Sequence, residues 1–236
     1  MPPQPRTAHP YRDLDVIDAG APRFNQAVVG VGSLVAVVTG FWPILALLAA
    51  QLAIGLRFGR RYCLACVLYF EVVQPRFGEG PIEDSRPPRF ANRLGFVVLS
   101  VASLAYLAGI ALVGAAFGLL VAGLALLAAT TGFCTGCWLY RIGARLRGVR
   151  AMPLDGLAFA ELGLSTDDGR DDQVVAFTHP LCTDCRELTS RLRDAGRRVH
   201  VIDVRDRPDL ARKYGIAVVP MAFTVDRSGS VLRIAG

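Results

Sequence analysis

Two long stretches of this sequence lack charged residues altogether. Phe24–Leu56 has no charge over 33 residues, and Leu94–Tyr140 has none over 47. Together with 53% hydrophobic residues and a mean hydropathy of +0.40, this absence excludes an ordinary soluble protein. From Arg141 onwards the composition becomes that of a soluble domain. The sequence therefore predicts a membrane-embedded first half and a globular second half.

A cleavable signal sequence is also lacking. The first 23 residues are proline-rich and mix arginine with aspartate, and they contain no short apolar core before a small-residue cleavage site. We therefore expect residues 1–23 to form a cytoplasmic tail, and the first apolar run to remain in the protein as an anchor.

The basic residues are concentrated around the apolar runs. Residues 1–150 carry 14 arginines and 7 acidic residues, a net charge of +7, whereas residues 151–236 carry 12 basic and 13 acidic residues. Arginines that flank apolar runs indicate contact with anionic lipid headgroups. The predicted partner is therefore a lipid bilayer, and no nucleic-acid partner is expected.

Residues 24–150 are predicted to form an all-α transmembrane domain of four helices, because the two uncharged runs are long enough for four spans and one membrane helix needs about 20 apolar residues. The second run divides into Leu94–Gly114 and Phe117–Tyr140, with a turn near residues 114–118. The first run divides into Phe24–Gly40 and Pro43–Leu56, because glycine and proline flank an aromatic pair at the proposed turn. One long tilted helix is the alternative for the first run.

The arginine distribution orients these spans. No arginine lies in either proposed turn, and two groups of arginines follow the uncharged runs. They are Arg57, Arg60, Arg61, Arg76, Arg86, Arg89 and Arg93 in the central loop, and Arg141, Arg145, Arg147 and Arg150 after the second run. By the positive-inside rule, the N-terminus, the central loop and everything after the second run face the cytoplasm. Four spans satisfy this arrangement and three do not.

The six cysteines all occur in CxxC pairs, and the first two pairs repeat a longer pattern. Tyr62–Tyr69 reads YCLACVLY and Phe133–Tyr140 reads FCTGCWLY. Each follows a predicted hairpin that begins with Pro-Arg-Phe-(x)-Asn, at residues 22–25 and 88–92. The repetition predicts an internal duplication with both copies in the same orientation.

The duplication places the first two dithiols in equivalent positions. Cys63 and Cys66 follow the first hairpin, and Cys134 and Cys137 follow the second. We expect both pairs at the same depth near the cytoplasmic interface, with a pseudo-twofold axis along the membrane normal bringing them close together. The alternatives are a chance echo of short motifs and cysteines that pack only as small apolar residues.

The third pair, CTDC, lies in a different context. A buried strand at residues 174–177 precedes it, and a helix, a strand at 199–204 and a second helix at 208–214 follow it. A cysteine at a helix N-terminus lies near unpaired backbone N–H groups, which lower its pKa. Cys182 is therefore predicted to be the attacking nucleophile, and Cys185 to resolve the mixed disulfide.

This order of elements, with Val-Pro before a hairpin, resembles thioredoxin. The stretch VIDVRDRPDLARKYGIAVVPMAFTVDRSGSVLRIAG carries the resemblance nearly element by element. The resemblance implies an α/β thioredoxin-like domain over residues 173–236, which a linker at 151–172 joins to the membrane half. It also implies that Pro220 is the cis-proline that faces the dithiol and exposes backbone for pairing with a substrate segment.

Several positions depart from the thioredoxin pattern. Leu181 replaces the usual tryptophan before the first cysteine, and Ala176 replaces the buried acid of the first strand. Thr183 and Asp184 replace glycine and proline between the cysteines, and an acid beside the pair opposes thiolate formation. The final helix that usually covers one sheet face is expected to be absent after Gly236. We therefore expect a partner, a dimer contact or the membrane half to cover that face.

Basic side chains near the dithiols are candidates for stabilising thiolates. These candidates are Arg57, Arg60, Arg61 and His179. The three arginines precede Cys63 and favour its thiolate. The histidine precedes Cys182 in the loop and either tunes its thiol or is solvated. A zinc half-site at CTDC is the less favoured alternative, because no second Cys or His pair lies nearby in that domain.

The membrane half resembles a bacterial integral-membrane domain of unknown function, which occurs alone or fused to a thioredoxin-like domain. The Pro-Arg-Phe-Asn motif, the Arg-Tyr-Cys-x-x-Cys segment and the Gly-Phe-Cys-x-Gly-Cys-Trp-Leu-Tyr segment carry this resemblance. It implies a multi-pass protein of the bacterial plasma (inner) membrane with both termini in the cytoplasm. It implies no particular chemistry.

Three functions are consistent with this arrangement. The first is a thiol–disulfide oxidoreductase without a cofactor, such as a protein-disulfide reductase, in which the membrane dithiols form a redox relay with Cys182 and Cys185 and act on protein or small-molecule thiols and disulfides. The second is a four-thiolate site for zinc or an iron–sulfur cluster. The third is a carrier of persulfide or a soft metal. The fused dithiol module favours the first, because it needs something to reduce or oxidise.

Overall fold

The computed structural model describes residues 7–151, 173–214, 216, 218–225 and 231–234. The predicted linker, apart from Ala151, lies outside these residues. The chain divides into two compact units. We name them the helical unit, which comprises residues 1–81 and 85–140, and the sheet unit, which comprises residues 82–84 and 141–236.

Apolar helices dominate the helical unit. The elements of this part of the chain are β1 (Val16–Asp18), α1 (Gly20–Thr39), α2 (Pro43–Phe58), a 3₁₀ turn (Arg60–Tyr62), α3 (Leu64–Leu68), a π turn (Tyr69–Val73), α4 (Gln74–Phe77), α5 (Arg86–Leu107), α6 (Ala111–Thr131) and α7 (Thr135–Ala151). In the described residues, α1, α5 and α6 are long and apolar enough to cross a membrane, and α2 is a shorter apolar helix of 16 residues. The four-span prediction is therefore confirmed for three helices by length and composition.

The first predicted hairpin is confirmed, and the alternative of one long helix is wrong. Helix α1 ends at Thr39, and α2 begins at Pro43, which occupies the first helical turn. Proline is suited to this position because it lacks the N–H that would be unpaired there. The aromatic pair that the sequence singled out thus lies in the turn.

The second predicted turn, near residues 114–118, is wrong. Helix α5 ends at Leu107 and α6 begins at Ala111, with Gly109 in the left-handed conformation between them at φ +76°. Gly114 and Gly118 lie buried within α6 instead. A Cβ at Gly118 would lie 2.7 Å from the side chain of Val37 on α1. These glycines therefore permit close helix packing, a common use of small residues in membrane proteins.

The predicted bounds of the last span, Phe117–Tyr140, are also wrong. Helix α6 ends at Thr131, and Gly132 follows in the left-handed conformation at φ +77°. This residue ends the helix because only glycine adopts such a conformation without a steric penalty. A new helix, α7, then begins at Thr135, immediately after Cys134. The dithiol thus lies at a helix start rather than inside a span.

Helices α1 and α6 approach each other closely at Gly30. A Cβ at this position would lie 2.8 Å from Cγ of Leu126 and 3.1 Å from its backbone nitrogen. We expect Gly30→Ala to destabilise the helical unit by about 1–3 kcal/mol, because overpacking forces the backbones apart. Thermal unfolding of the purified protein in detergent measures the effect. Gly123→Ala is the matched control, since a Cβ there meets nothing within 4 Å; equal unfolding temperatures for the two variants would contradict the packing.

In the part of the sheet unit that the structure describes from residue 173 onwards, there are four strands and two helices. The elements of the sheet unit are β2 (Ile82–Asp84), β3 (Gln173–Thr178), α8 (Thr183–Asp194), β4 (Arg198–Asp203), α9 (Pro208–Lys213), β5 (Met221–Val225) and β6 (Val231–Ile234). The four C-terminal strands lie in the order β4-β3-β5-β6. Strand β4 runs parallel to β3, whereas β5 is antiparallel to both β3 and β6.

Side chains cover both faces of β3, because successive residues of a strand point to opposite sides. Val175 and Phe177 belong to one buried cluster, which also contains Leu210 of α9 and both cysteines of CTDC. Val174 and Ala176 belong to a second cluster, against which Leu188 and Leu192 of α8 pack. The first cluster holds the dithiol against the sheet. A partner or dimer that covers the sheet stays a prediction.

Candidate functional site

The three CxxC motifs share one local geometry. In each, the first cysteine directly precedes a helix, and its Sγ accepts a hydrogen bond from the backbone N–H of the second cysteine. The N···S distances are 3.3 Å for Cys66 to Cys63, 3.3 Å for Cys137 to Cys134, and 3.2 Å for Cys185 to Cys182. This bond stabilises a thiolate on the first cysteine, as does the positive end of the helix dipole. In each pair the first cysteine is therefore the one whose thiolate these groups stabilise.

The dithiol of the sheet unit is oxidised and buried. Cys182 and Cys185 form a disulfide, and they are 1% and 2% exposed. The peptide bond between Val219 and Pro220 is cis, and Val219 packs in the same buried cluster as both cysteines. The predicted cis-proline is therefore confirmed as a cis bond close in space to the dithiol.

The short strand β2 contacts both sides of this dithiol. The backbone N–H of Ile82 donates to Oγ1 of Thr183 at 3.0 Å, and the backbone N–H of Val219 donates to Oδ2 of Asp84 at 3.2 Å. Ile82 and Asp84 are both buried. The carboxylate of Asp84 thus binds the backbone N–H next to Pro220, in the region where backbone was expected to pair with a substrate segment. Sequence reasoning missed this contact, because β2 lies about a hundred residues upstream of CTDC.

Removing the Asp84 carboxylate is expected to open the dithiol. We expect Asp84→Ala to speed the reduction of the Cys182–Cys185 disulfide by dithiothreitol about tenfold, since a hydrogen bond to a charged group contributes roughly 1.5 kcal/mol. Stopped reactions followed by alkylation and mass spectrometry measure the rate. Asp206→Ala, at an exposed position of the same unit, is the control. An unchanged rate in a folded Asp84→Ala protein would show that β2 does not limit access.

His179 is buried rather than solvated. It is 2% exposed, and its Nδ1 accepts a hydrogen bond from the backbone N–H of Leu181 at 3.2 Å. Its carbonyl oxygen accepts another from the backbone N–H of Cys182 at 3.0 Å. The solvated alternative is therefore wrong, and the histidine orders the loop that presents Cys182. A direct effect on the thiolate stays a prediction.

Cys63 is the more acidic thiol of the first pair in the helical unit. The Cys66 thiol donates a hydrogen bond to Cys63 across an S···S distance of 2.6 Å, and this bond is the main reason that the pKa of Cys63 falls to about 7. The side chain of Gln51 also lowers it, whereas burial opposes both effects. The same hydrogen bond, together with burial, raises the pKa of Cys66 above its ordinary value. The two thiols of the pair thus differ in acidity, with the pKa of Cys63 lowered and that of Cys66 raised.

Cys134 has a matching environment. Its pKa falls to about 6, chiefly because the Cys137 thiol donates a hydrogen bond to it. The backbone N–H of Cys137 and the side chain of Gln26 add to the effect, and burial opposes it. The two duplicated pairs therefore share not only a motif but also a glutamine that stabilises the first thiolate.

The two Pro-Arg-Phe-(x)-Asn motifs contact each other in the core of the helical unit. Nδ2 of Asn25 donates to Oδ1 of Asn92 at 3.3 Å, and Nε2 of Gln51 donates to Oδ1 of Asn25 at 3.4 Å. Asn25 and Asn92 are the asparagines of the two Pro-Arg-Phe-(x)-Asn motifs. Their direct contact agrees with a pseudo-twofold relation between the hairpins.

A comparison with known families covers much of this unit. Residues 17–145 match the family described as Domain of unknown function (DUF4395). The chain belongs to the DUF4395 family. The match includes both Pro-Arg-Phe-(x)-Asn motifs and both dithiols of the helical unit, and it ends before CTDC. No curated protein and no solved structure matches the chain.

The three arginines before Cys63 contact groups other than the thiols. The guanidinium of Arg60 is buried and donates to four backbone carbonyls, at Pro10, Asp13, Leu14 and Val16, with distances of 2.6–3.2 Å. Burial lowers its pKa to about 10. Arg57 lies over the ring of Phe58 and Arg61 over the ring of Tyr11. Arg60 therefore fixes the N-terminal segment, and thiolate tuning by the arginines stays a prediction.

The four cysteines of the DUF4395 region do not gather into one cluster. Among the residues that the structure describes, no group of three or more His, Cys, Asp or Glu side chains is placed to hold a metal ion. The two pairs border different cavities, with Cys63 and Cys66 lining one and Cys134 lining the other. The close approach of the two pairs stays a prediction, as does the four-thiolate site for zinc or an iron–sulfur cluster.

Proposed function

We propose that this DUF4395 protein is a membrane-tethered thiol–disulfide oxidoreductase. Its Cys182/Cys185 dithiol exchanges disulfides with the dithiols of the helical unit or with a client protein or small thiol. The observation that carries the proposal is the shared geometry of the three CxxC motifs, in which a helix start and a backbone N–H stabilise the first thiolate.

A thioredoxin-like architecture of the sheet unit is part of the proposal. The order β4-β3-β5-β6, the CxxC pair at the start of α8 and the cis bond before Pro220 support it. In such an architecture the reactive sulfur lies beside backbone that pairs with a substrate segment, and here the segment would displace Asp84 from the backbone N–H of Val219.

The chemistry is two successive exchanges. The Cys182 thiolate attacks one sulfur of a client disulfide, a mixed disulfide forms, and the released client thiolate takes up a proton. Cys185 then loses its proton and attacks Cys182, which restores the intramolecular disulfide and releases the second client thiolate. Two electrons and one proton pass from the thiolate–thiol pair to the client, and the second client thiolate takes its proton from solvent. The reverse direction uses the same atoms.

The relay requires the three dithiols to face one side of the membrane. We propose that this side is the cytoplasm of a bacterium, because the arginines of the central loop and of α7 flank the apolar helices along the chain. In this compartment small-molecule thiols keep dithiols largely reduced. The dithiols are therefore expected to cycle rather than to act as permanent structural crosslinks.

The migration of a disulfide within the intact protein tests the proposal. We would reduce the full chain in detergent, add one equivalent of glutathione disulfide, quench with acid at intervals, and map the disulfides by mass spectrometry. The proposal expects an early Cys182–Cys185 disulfide that declines as one in the helical unit appears. Three pairs that oxidise independently, with no such order, would contradict the relay.

A further inference from the structure

The two dithiols of the helical unit differ in the space beside them. Cys134 borders a cavity of about 320 Å³, whereas Cys63 and Cys66 border one of about 60 Å³. Small-molecule sites in proteins usually measure about 300–1,000 Å³. The cavity beside Cys134 is therefore large enough for an organic ring, and the cavity beside Cys63 is not.

The larger cavity is apolar along its length and polar near the thiol. Valine, leucine and alanine side chains from α1, α2, α5 and α6 form its walls, and none of the described residues that line it is charged. Gln26 and Asn92 supply amide groups, and the start of α7 contributes Cys134. An uncharged ligand with an apolar body and hydrogen-bonding oxygens fits this lining, because a charged group there would lose its hydration without compensation.

We propose that this cavity binds the ring of a membrane-dissolved quinone, and that the Cys134/Cys137 dithiol reduces it. The inference rests on the proposed function in one respect, that the dithiols of the helical unit cycle. A quinone satisfies each requirement of the site: it is uncharged and lipophilic, its carbonyl oxygens accept from amide donors, and it takes up the two electrons that a dithiol releases.

The step balances with the quinone as the oxidant. The Cys134 thiolate and the Cys137 thiol lose two electrons and one proton to form the Cys134–Cys137 disulfide. The quinone takes up these two electrons, that proton and one further proton from solvent, and it leaves as the hydroquinone. The lowered pKa of Cys134 supports this step, since the thiolate is the electron-rich form.

The test uses the full-length, fully reduced protein in lipid nanodiscs without oxygen. The probe is tetramethyl-1,4-benzoquinone, whose ring has no free position for addition of a thiol. We expect its reduction, followed by absorbance, to produce one Cys134–Cys137 disulfide per hydroquinone. Cys134→Ser is expected to slow the reaction by about tenfold or more, because it removes the reacting thiolate.

Two further measurements keep the result independent of folding defects. Ala125→Leu fills the cavity from α6 and is expected to slow quinone reduction several-fold, whereas Ala116→Leu, at an exposed alanine of the same helix, is expected to leave it unchanged. In the unmodified protein, the non-oxidising tetramethylhydroquinone is expected to protect Cys134 from alkylation more than Cys63. Reduction that survives Cys134→Ser and Ala125→Leu, or equal protection of both cysteines, would overturn the proposal.

The outcomes separate this inference from the proposed function. Disulfide migration from CTDC to the helical unit without quinone reduction would leave the relay intact and refute the quinone site. Quinone reduction at Cys134 in a protein whose CTDC pair never exchanges with the helical unit would support the site and refute the relay.

Discussion

Replacing Cys182 by serine is expected to slow disulfide exchange with glutathione disulfide at the CTDC pair by about a thousandfold or more, because the attacking thiolate is lost. The hydroxyl of serine is not ionised near neutral pH and does not attack a disulfide sulfur at a useful rate. The measurement is the rate of disulfide appearance in the full chain after acid quench. The same variant is expected to stop the transfer of that disulfide to the helical unit.

A matched substitution separates the chemistry from damage to the fold. Ser190 lies exposed on the same helix, where its hydroxyl contacts Asp194, so Ser190→Ala is expected to keep the unmodified rate. Cys185→Ser is expected to keep the first attack but to lose the release step. If Cys182→Ser exchanged as fast as Ser190→Ala, Cys182 would not be the nucleophile.

The alkylation of Cys134 is expected to reach half its maximal rate near pH 6, and that of Cys63 near pH 7. The sign follows from the charge, since alkylation requires the thiolate and its fraction rises as pH rises through the pKa. An ordinary thiol has a pKa of about 8.5, so at pH 6 Cys134 is expected to react about a hundredfold faster than one. Rates for each cysteine of the reduced protein are read from peptide mass spectra after timed iodoacetamide treatment.

Substitutions at Cys137 test the cause of this acidity. Cys137→Ala removes the hydrogen bond that chiefly lowers the pKa of Cys134, so the alkylation profile is expected to move to higher pH. Cys137→Ser retains a donor and is expected to restore part of the shift. Profiles that coincide for the alanine and serine variants would mean that another group sets the pKa.

The sequence predicted the elements whose local signals are strong. Charge-free runs predicted the apolar helices, and proline after an aromatic pair predicted the start of α2 at Pro43. The sequence did not predict whether a glycine lies in a turn or within a helix. The sequence predicts a turn near Gly114, whereas in the structure this residue is buried in α6 beside Tyr106. Glycine serves both turns and close helix contacts, so its presence alone does not distinguish them.

The sequence predicted which cysteines form the candidate site, but it did not predict the residues that surround their sulfur atoms. The CxxC motifs identified all six cysteines, because the spacing places the second N–H near the first sulfur. The contact of Asp84 with Val219 joins residues 135 positions apart, and no local pattern encodes it. The roles of Gln26 and Gln51 likewise depend on how helices pack around the dithiols.

Trapping the mixed disulfide tests the central claim most directly. With Cys185→Ser in the full chain, Cys182 cannot be released from a mixed disulfide, and the protein is purified from membranes under acid quench and mapped by mass spectrometry. The proposal predicts a disulfide between Cys182 and one of the four cysteines of the helical unit, which are Cys63, Cys66, Cys134 and Cys137. Finding Cys182 joined only to foreign proteins, with all four of those cysteines inert to alkylation, would contradict the relay.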